Sequence, residues 1–233
     1  MNDIKELTGW ISAGRNQELE SGLRANPKLA NEKTEQGISL LQFAVYCRNK
    51  NAIDLLRPMS SLDVFEAASL GELLVVQNEL KRSPHLINAF APDGFTALGL
   101  SCFFGHRHVA EHLLINGADP NIASRNSFHV APIHSACAIS SLEITELLIK
   151  HGANVNAKQQ QGITPLHETT HNGKMELTRL LLDHGAAANV KTENGQTPLD
   201  MALEKGFSDV AEWLRQWGDK SHFNSRNIDL NLE

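Results

Sequence analysis

From Met175 to Asp183, leucines at 177, 180 and 181 fall on one stripe at helical spacing, so this stretch is expected to be a helix. A shorter apolar stretch begins at Pro165 and closes near Gly173, and another begins at Pro198 and closes near Gly206. These predict a first, short helix ahead of each longer one. Gly117, Gly152, Gly185 and Gly218 then stand where a left-handed residue would end a helix. Asp119, Asn121, Asn154, Asn156 and Asn189 fill the polar turn region that follows. The chain therefore reads as helix pairs separated by polar connections. Neither helix of a pair can bury its apolar stripe alone, so neighbouring pairs must stack.

The pairs recur at a fixed period. Thr164-Pro165-Leu166-His167 returns 33 residues later as Thr197-Pro198-Leu199-Asp200, and 33 residues earlier as Ala131-Pro132-Ile133-His134. Such a period marks a repeat array. Thr at the head of the motif suits a helix N-cap, and Pro after it suits the first helical position. Ala131 forfeits that cap, a loss of about 1 kcal/mol. The same register slot falls at Thr96, Leu62, Ser39 and Lys5, and Gly14, Gly71, Gly105, Gly173 and Gly206 each follow their slot by nine residues. Leu23 to Asn31 also lines up with Leu80 to Asn88, Pro27 matching Pro84. Seven repeats are counted, beginning near 5, 39, 62, 96, 131, 164 and 197, within an array spanning 1–218. The third begins only 23 residues after the second, so the second has lost its connecting finger.

The motif G-x-T-P-L-H, a Gly, a Leu pair and G-A-x-x-N resembles the ankyrin repeat over nearly the whole chain. The resemblance implies an all-α, ankyrin-repeat solenoid of stacked helix pairs with short β-hairpin fingers. It also implies a non-catalytic module that binds a partner protein or peptide in a concave groove. Two functional readings follow, a scaffold or adaptor, and an inhibitor that covers a partner enzyme's active surface.

In the family pattern the two positions before the helix-ending Gly face that groove. Here they read Tyr46-Cys47, Ser69-Leu70, Phe103-Phe104, Ala138-Ile139, His171-Asn172 and Glu204-Lys205. Adjacent helical residues diverge by about 100°, so Phe103 and Phe104 cannot both point into one core stripe. Tyr46, Leu70, Phe103, Phe104 and Ile139 are thus the expected anchors, with His171 at the polar end. The finger before Ala131 is two residues longer and lacks the turn Gly found at 94, 162 and 195. Its Phe128 and His129 extend the expected contact surface.

Composition narrows the remaining classes. The array leaves no stretch of about 100 residues for a separate catalytic domain. Neither G-x-S-x-G nor a phosphate loop is present. The net charge of −6 and a longest basic run of Lys81-Arg82 argue against nucleic acid. Eleven histidines invite a metal. However, His134 and His167 occupy the motif slot where the family uses imidazole as a brace, and His151 and His184 suit a helix C-terminus. His108 and His112 have i, i+4 spacing, but His112 shares its slot with Leu147, Leu180 and Trp213, read as core-facing. No cofactor and no metal are expected. With no secretory signal, no membrane-length apolar run and an odd cysteine count of 3, a monomeric cytoplasmic protein is expected. Cys102 and Cys137 read as small buried packing residues, and the tail 219–233 as a flexible terminus.

Overall fold

The computed structural model describes residues 3–217. Gly218 and the tail 219–233 lie outside the described residues, so the expectations placed there are not taken further. Among the described residues fourteen α-helices pair in order. They are α1 (Ile4–Ser12) with α2 (Asn16–Ala25), α3 (Leu40–Tyr46) with α4 (Lys50–Leu56), α5 (Val64–Leu70) with α6 (Leu73–Arg82) and α7 (Ala97–Phe103) with α8 (Arg107–Ile115). The order continues with α9 (Pro132–Ala138) and α10 (Leu142–Lys150), α11 (Pro165–His171) and α12 (Met175–Asp183), and α13 (Pro198–Glu204) with α14 (208–217). None of these helices is long and apolar enough to cross a membrane.

The described residues divide into two compact bodies, residues 3–119 with 124–126, and residues 120–123 with 127–217. In the N-terminal body the first helices α1, α3, α5 and α7 pack in sequence, and α2 packs on α4 as α6 does on α8. Its core is made of Leu7, Ile11, Leu19, Leu40, Leu98 and Leu113, all essentially without solvent contact. In the C-terminal body α9, α11 and α13 pack in sequence, and α10 packs on α12. Ile133, Ile144, Leu148, Leu166, Leu181 and Val210 fill that core. Leu177 and Leu181 are buried as the stripe predicts, whereas Leu180 is only half-buried. His112 and Trp213 share that intermediate state, so their slot lies at the edge of the core.

The helix starts follow cap chemistry. Thr96 Oγ1 accepts from the Gly99 N–H at 3.0 Å, and Ser39 Oγ from the Gln42 N–H at 3.0 Å. Ala131 makes no side-chain cap. At the two slots held by Lys5 and Leu62, which have no side-chain oxygen, the cap moves to Asp3 and Asp63. Asp63 forms a full capping box with Glu66, satisfying donors at both ends. The matched stretches after α2 and α6 both become 3-10 turns, Pro27–Asn31 and Pro84–Asn88.

The fingers are turns more than hairpins. Lys33 pairs with Ser39 and Phe90 with Thr96 as isolated antiparallel bridges, and no longer strand forms among the described residues. A finger of this length closes one bridge and leaves no residues to extend the ladder. Between α4 and α5 there is no finger, only the 3-10 turn Arg57–Met59 and a short extended link.

Candidate functional site

Loss of that finger shapes the N-terminal body. The flanking fingers close toward each other, and a Cβ added to Gly37 would lie 3.2 Å from Pro92 Cβ. Beneath them is a cavity of about 20 Å³ lined in part by Ser39, Gln42, Glu66, Asp93 and Leu100. The Ser39 hydroxyl donates to the Glu66 carboxylate. The Gln42 side chain is buried with neither amide atom hydrogen-bonded.

Asp93, on the closing finger, accepts a hydrogen bond from the Tyr46 hydroxyl at the end of α3. Burial first, then this acidic neighbour, pushes the Tyr46 phenol well above its usual range, so it remains a neutral donor. The ring of Tyr46 lies 5.7 Å from Phe104, and Phe104 meets Phe103 edge-on at 5.1 Å and 86°. Phe95 adds a fourth ring 6.3 Å from Phe103. Tyr46, Leu70, Phe103 and Phe104 are all half-buried. Three of the four expected anchors in this body thus form one ring cluster, and Leu70 is the last residue of α5, before the capping Gly71. The rings pack on one another and still keep an outer face.

The long finger divides its residues between two tasks. Arg125 turns back on the preceding finger, with its N–H on the Gly94 carbonyl at 2.8 Å and its guanidinium 3.9 Å over the Phe90 ring. Phe128 is 59% exposed, and its carbonyl accepts from the Gln160 N–H at 2.9 Å. His129 is exposed and has φ +51°. It stands two residues before the cap slot, the place of the finger glycines, and supplies the left-handed turn itself.

In the C-terminal body Ile139 is half-buried at the end of α9, while His171 and Asn172 are exposed at the end of α11, their side chains 3.3 Å apart. The motif histidines are braces. His134 Nε2 lies 3.1 Å from the Ala157 carbonyl and 3.3 Å from that of Ile163, and His167 Nε2 lies 3.2 Å from the Gln196 carbonyl. Burial holds both rings below the usual histidine range, His134 at about 4. Burial likewise pushes the Cys102 and Cys137 thiols up to about 12, which leaves neither a nucleophile at neutral pH. His108 is exposed and His112 lies against Asn116. No cluster of three or more metal-ligating side chains occurs among the described residues.

Two features escape the sequence reading. Asn121 and Asn156 do more than fill turns. Asn121 donates to the Gly152 carbonyl at 3.0 Å and accepts from the Asn154 N–H at 2.7 Å; Asn156 treats Gly185 and Ala187 in the same way, at 2.9 and 2.8 Å. Asn88 repeats the pattern on Gly117 and Asp119 in the N-terminal body. Their spacing of 33 and 35 residues was the available signal. The second is Glu168 on α11, in a register slot that holds Leu100 and Met201 but also Glu66 and Ser135. With Ile163, His167, His171, Asn172 and Met201 it lines a pocket of about 280 Å³. Burial pushes its carboxyl up to about 7, against the pull of the Gln159 amide, which donates to Oε1 at 2.6 Å.

A family model described as ankyrin repeats (3 copies) matches residues 64–159 and 133–227, together well over half the chain. A putative ankyrin repeat protein of Acanthamoeba polyphaga mimivirus is 32% identical over 144 residues, covering 58% of this chain and 19% of the relative. An ankyrin repeat protein of Neurospora crassa is 36% identical over 91 residues, covering 39% of this chain and 8% of the relative. The match therefore spans less than a fifth of either relative's own length.

Proposed function

We propose that this chain, which belongs to the ankyrin repeat family, acts as a scaffold or adaptor that holds a partner protein against the ring cluster of its N-terminal body. Ankyrin repeats are generally protein–protein interaction modules, and the family is generally non-catalytic. The observation that carries the reading is the joined set of Tyr46, Phe103 and Phe104, each half-buried and in ring contact with the next. Aromatic side chains dominate the binding energy of interfaces, most of all where they are already held in place. Here the Tyr46–Asp93 hydrogen bond and the edge-on phenylalanine pair hold them before any partner arrives.

Crosslinking capture from source-cell lysate tests this, comparing the wild type with a Phe103→Glu, Phe104→Glu variant. Matching helical circular dichroism must first show that both forms are folded. A protein captured by the wild type and lost in the variant supports the reading. Equal capture by both forms removes the rings as the anchor.

A further inference from the structure

The Glu168 pocket lies between α11 and α13, entirely within the C-terminal body. Its volume of about 280 Å³ is below the range of about 300–1,000 Å³ that takes drug-sized ligands, and it suits one long side chain. Ile163 and Met201 make apolar walls, and the exposed His171 and Asn172 stand at the rim. The one carboxylate among these residues is Glu168. Its Oε1 is taken by the Gln159 amide, and Oε2 accepts no hydrogen bond among the described residues. No Lys, Arg or His of the described residues forms an ion pair with it.

A carboxylate half removed from water, with one oxygen held by an amide and the other left to solvent, is less well solvated than a free one. It gains most from a cation brought in by another molecule, because a charge-assisted hydrogen bond is stronger away from bulk solvent. Lysine and arginine also carry alkyl stems that lie well along apolar walls. We propose that the pocket receives a basic side chain of the partner protein, its cation on Glu168 Oε2 and its stem against Met201 and Ile163; this rests on the reading of the chain as a protein-binding module. An acidic side chain is repelled there, and a neutral one leaves the carboxylate uncompensated.

The test uses the full chain labelled at its methionine methyl groups and titrated with n-butylguanidinium at about pH 8, where Glu168 is ionised. The Met201 methyl should shift saturably in the millimolar range while those of Met59 and Met175 hold still. The neutral isostere n-butylurea should give no saturable shift, and Glu168→Gln should weaken n-butylguanidinium binding about tenfold or more. Absence of saturation in the wild type, equal binding of the urea, or full binding by the Gln variant would each overturn the proposal. Lysate capture that succeeds while n-butylguanidinium fails removes only the pocket assignment. Saturable n-butylguanidinium binding beside failed capture removes the scaffold reading and keeps the cation site.

Discussion

Thr164 and His167 close on each other at the start of α11, with the hydroxyl 2.9 Å from the imidazole Nδ1 and the Thr164 N–H donating to that nitrogen at 3.2 Å. One repeat earlier Ala131 stands in the threonine's place, and His134 Nδ1 is buried with no hydrogen-bond partner. At this slot the threonine adds a hydroxyl and a methyl to the alanine, and the hydroxyl would serve both as cap and as partner to the ring. Ala131→Thr should therefore stabilise the protein by about 1–2 kcal/mol, read from urea denaturation. An unchanged midpoint would show that the His134 ring is already satisfied.

His134 also gives stability a pH dependence. Its folded pKa of about 4 lies below the ordinary 6.5, so the unfolded chain binds the extra proton between those values. Stability from this group is complete above 6.5 and falls as pH drops toward 4. Glu168 has the opposite sign, since its pKa is raised from 4.5 to about 7 and it favours the folded state on acidification. The two effects oppose each other in the wild type. In a Glu168→Gln background, lowering the pH from about 7 to about 5 should cost roughly 2 kcal/mol through His134, and adding His134→Gln should shrink that loss. An equal loss in both backgrounds would place the titration elsewhere.

The position nine residues after each cap slot needs a left-handed backbone. Gly173 meets it with φ +64°, and there a Cβ would lie 2.5 Å from the Phe207 ring. Ser140 occupies the same position with φ +59°. Ser140→Gly should stabilise by about 0.5–1 kcal/mol, because a side chain is strained in that region. Gly173→Ala should destabilise by more than this amount, since strain and collision add. Thermal melts of the two variants moving in the same direction would contradict this account.

The architecture was legible because it is periodic. Caps at Ser39, Thr96 and Thr197 and the uncapped Ala131 follow from spacing and side-chain chemistry, and the braces of His134 and His167 from the family resemblance. The cap shifts to Asp3 and Asp63 also follow from chemistry, because only a side-chain oxygen can accept from a free helix N–H. The site was legible only in part. Spacing shows that Phe103 and Phe104 diverge, but not that they turn onto each other and onto Tyr46. That arrangement is tertiary: Tyr46 at the end of α3 meets Phe104 beyond the end of α7, and Asp93 accepts from the Tyr46 hydroxyl. Spacing likewise does not show that Arg125 lies on Phe90, where the two fingers adjoin. His129 is visible as a residue out of keeping with its slot, whereas the slot of Glu168 also holds Glu66 and Ser135, and only its surroundings set Glu168 apart.

Cys47 allows the ring cluster to be tested on the native chain. It is exposed beside Tyr46, whereas Cys102 and Cys137 are buried. A maleimide should therefore label Cys47 alone in the folded protein. With a benzophenone maleimide on Cys47, irradiation in the presence of the captured partner should yield a crosslinked complex. The same probe placed at Leu74→Cys in a Cys47→Ser background, on the exposed face of α6, should yield little. Crosslinking confined to Cys47 is the result this account predicts. Crosslinking at position 74 with none from Cys47 would contradict it and move the partner away from the rings.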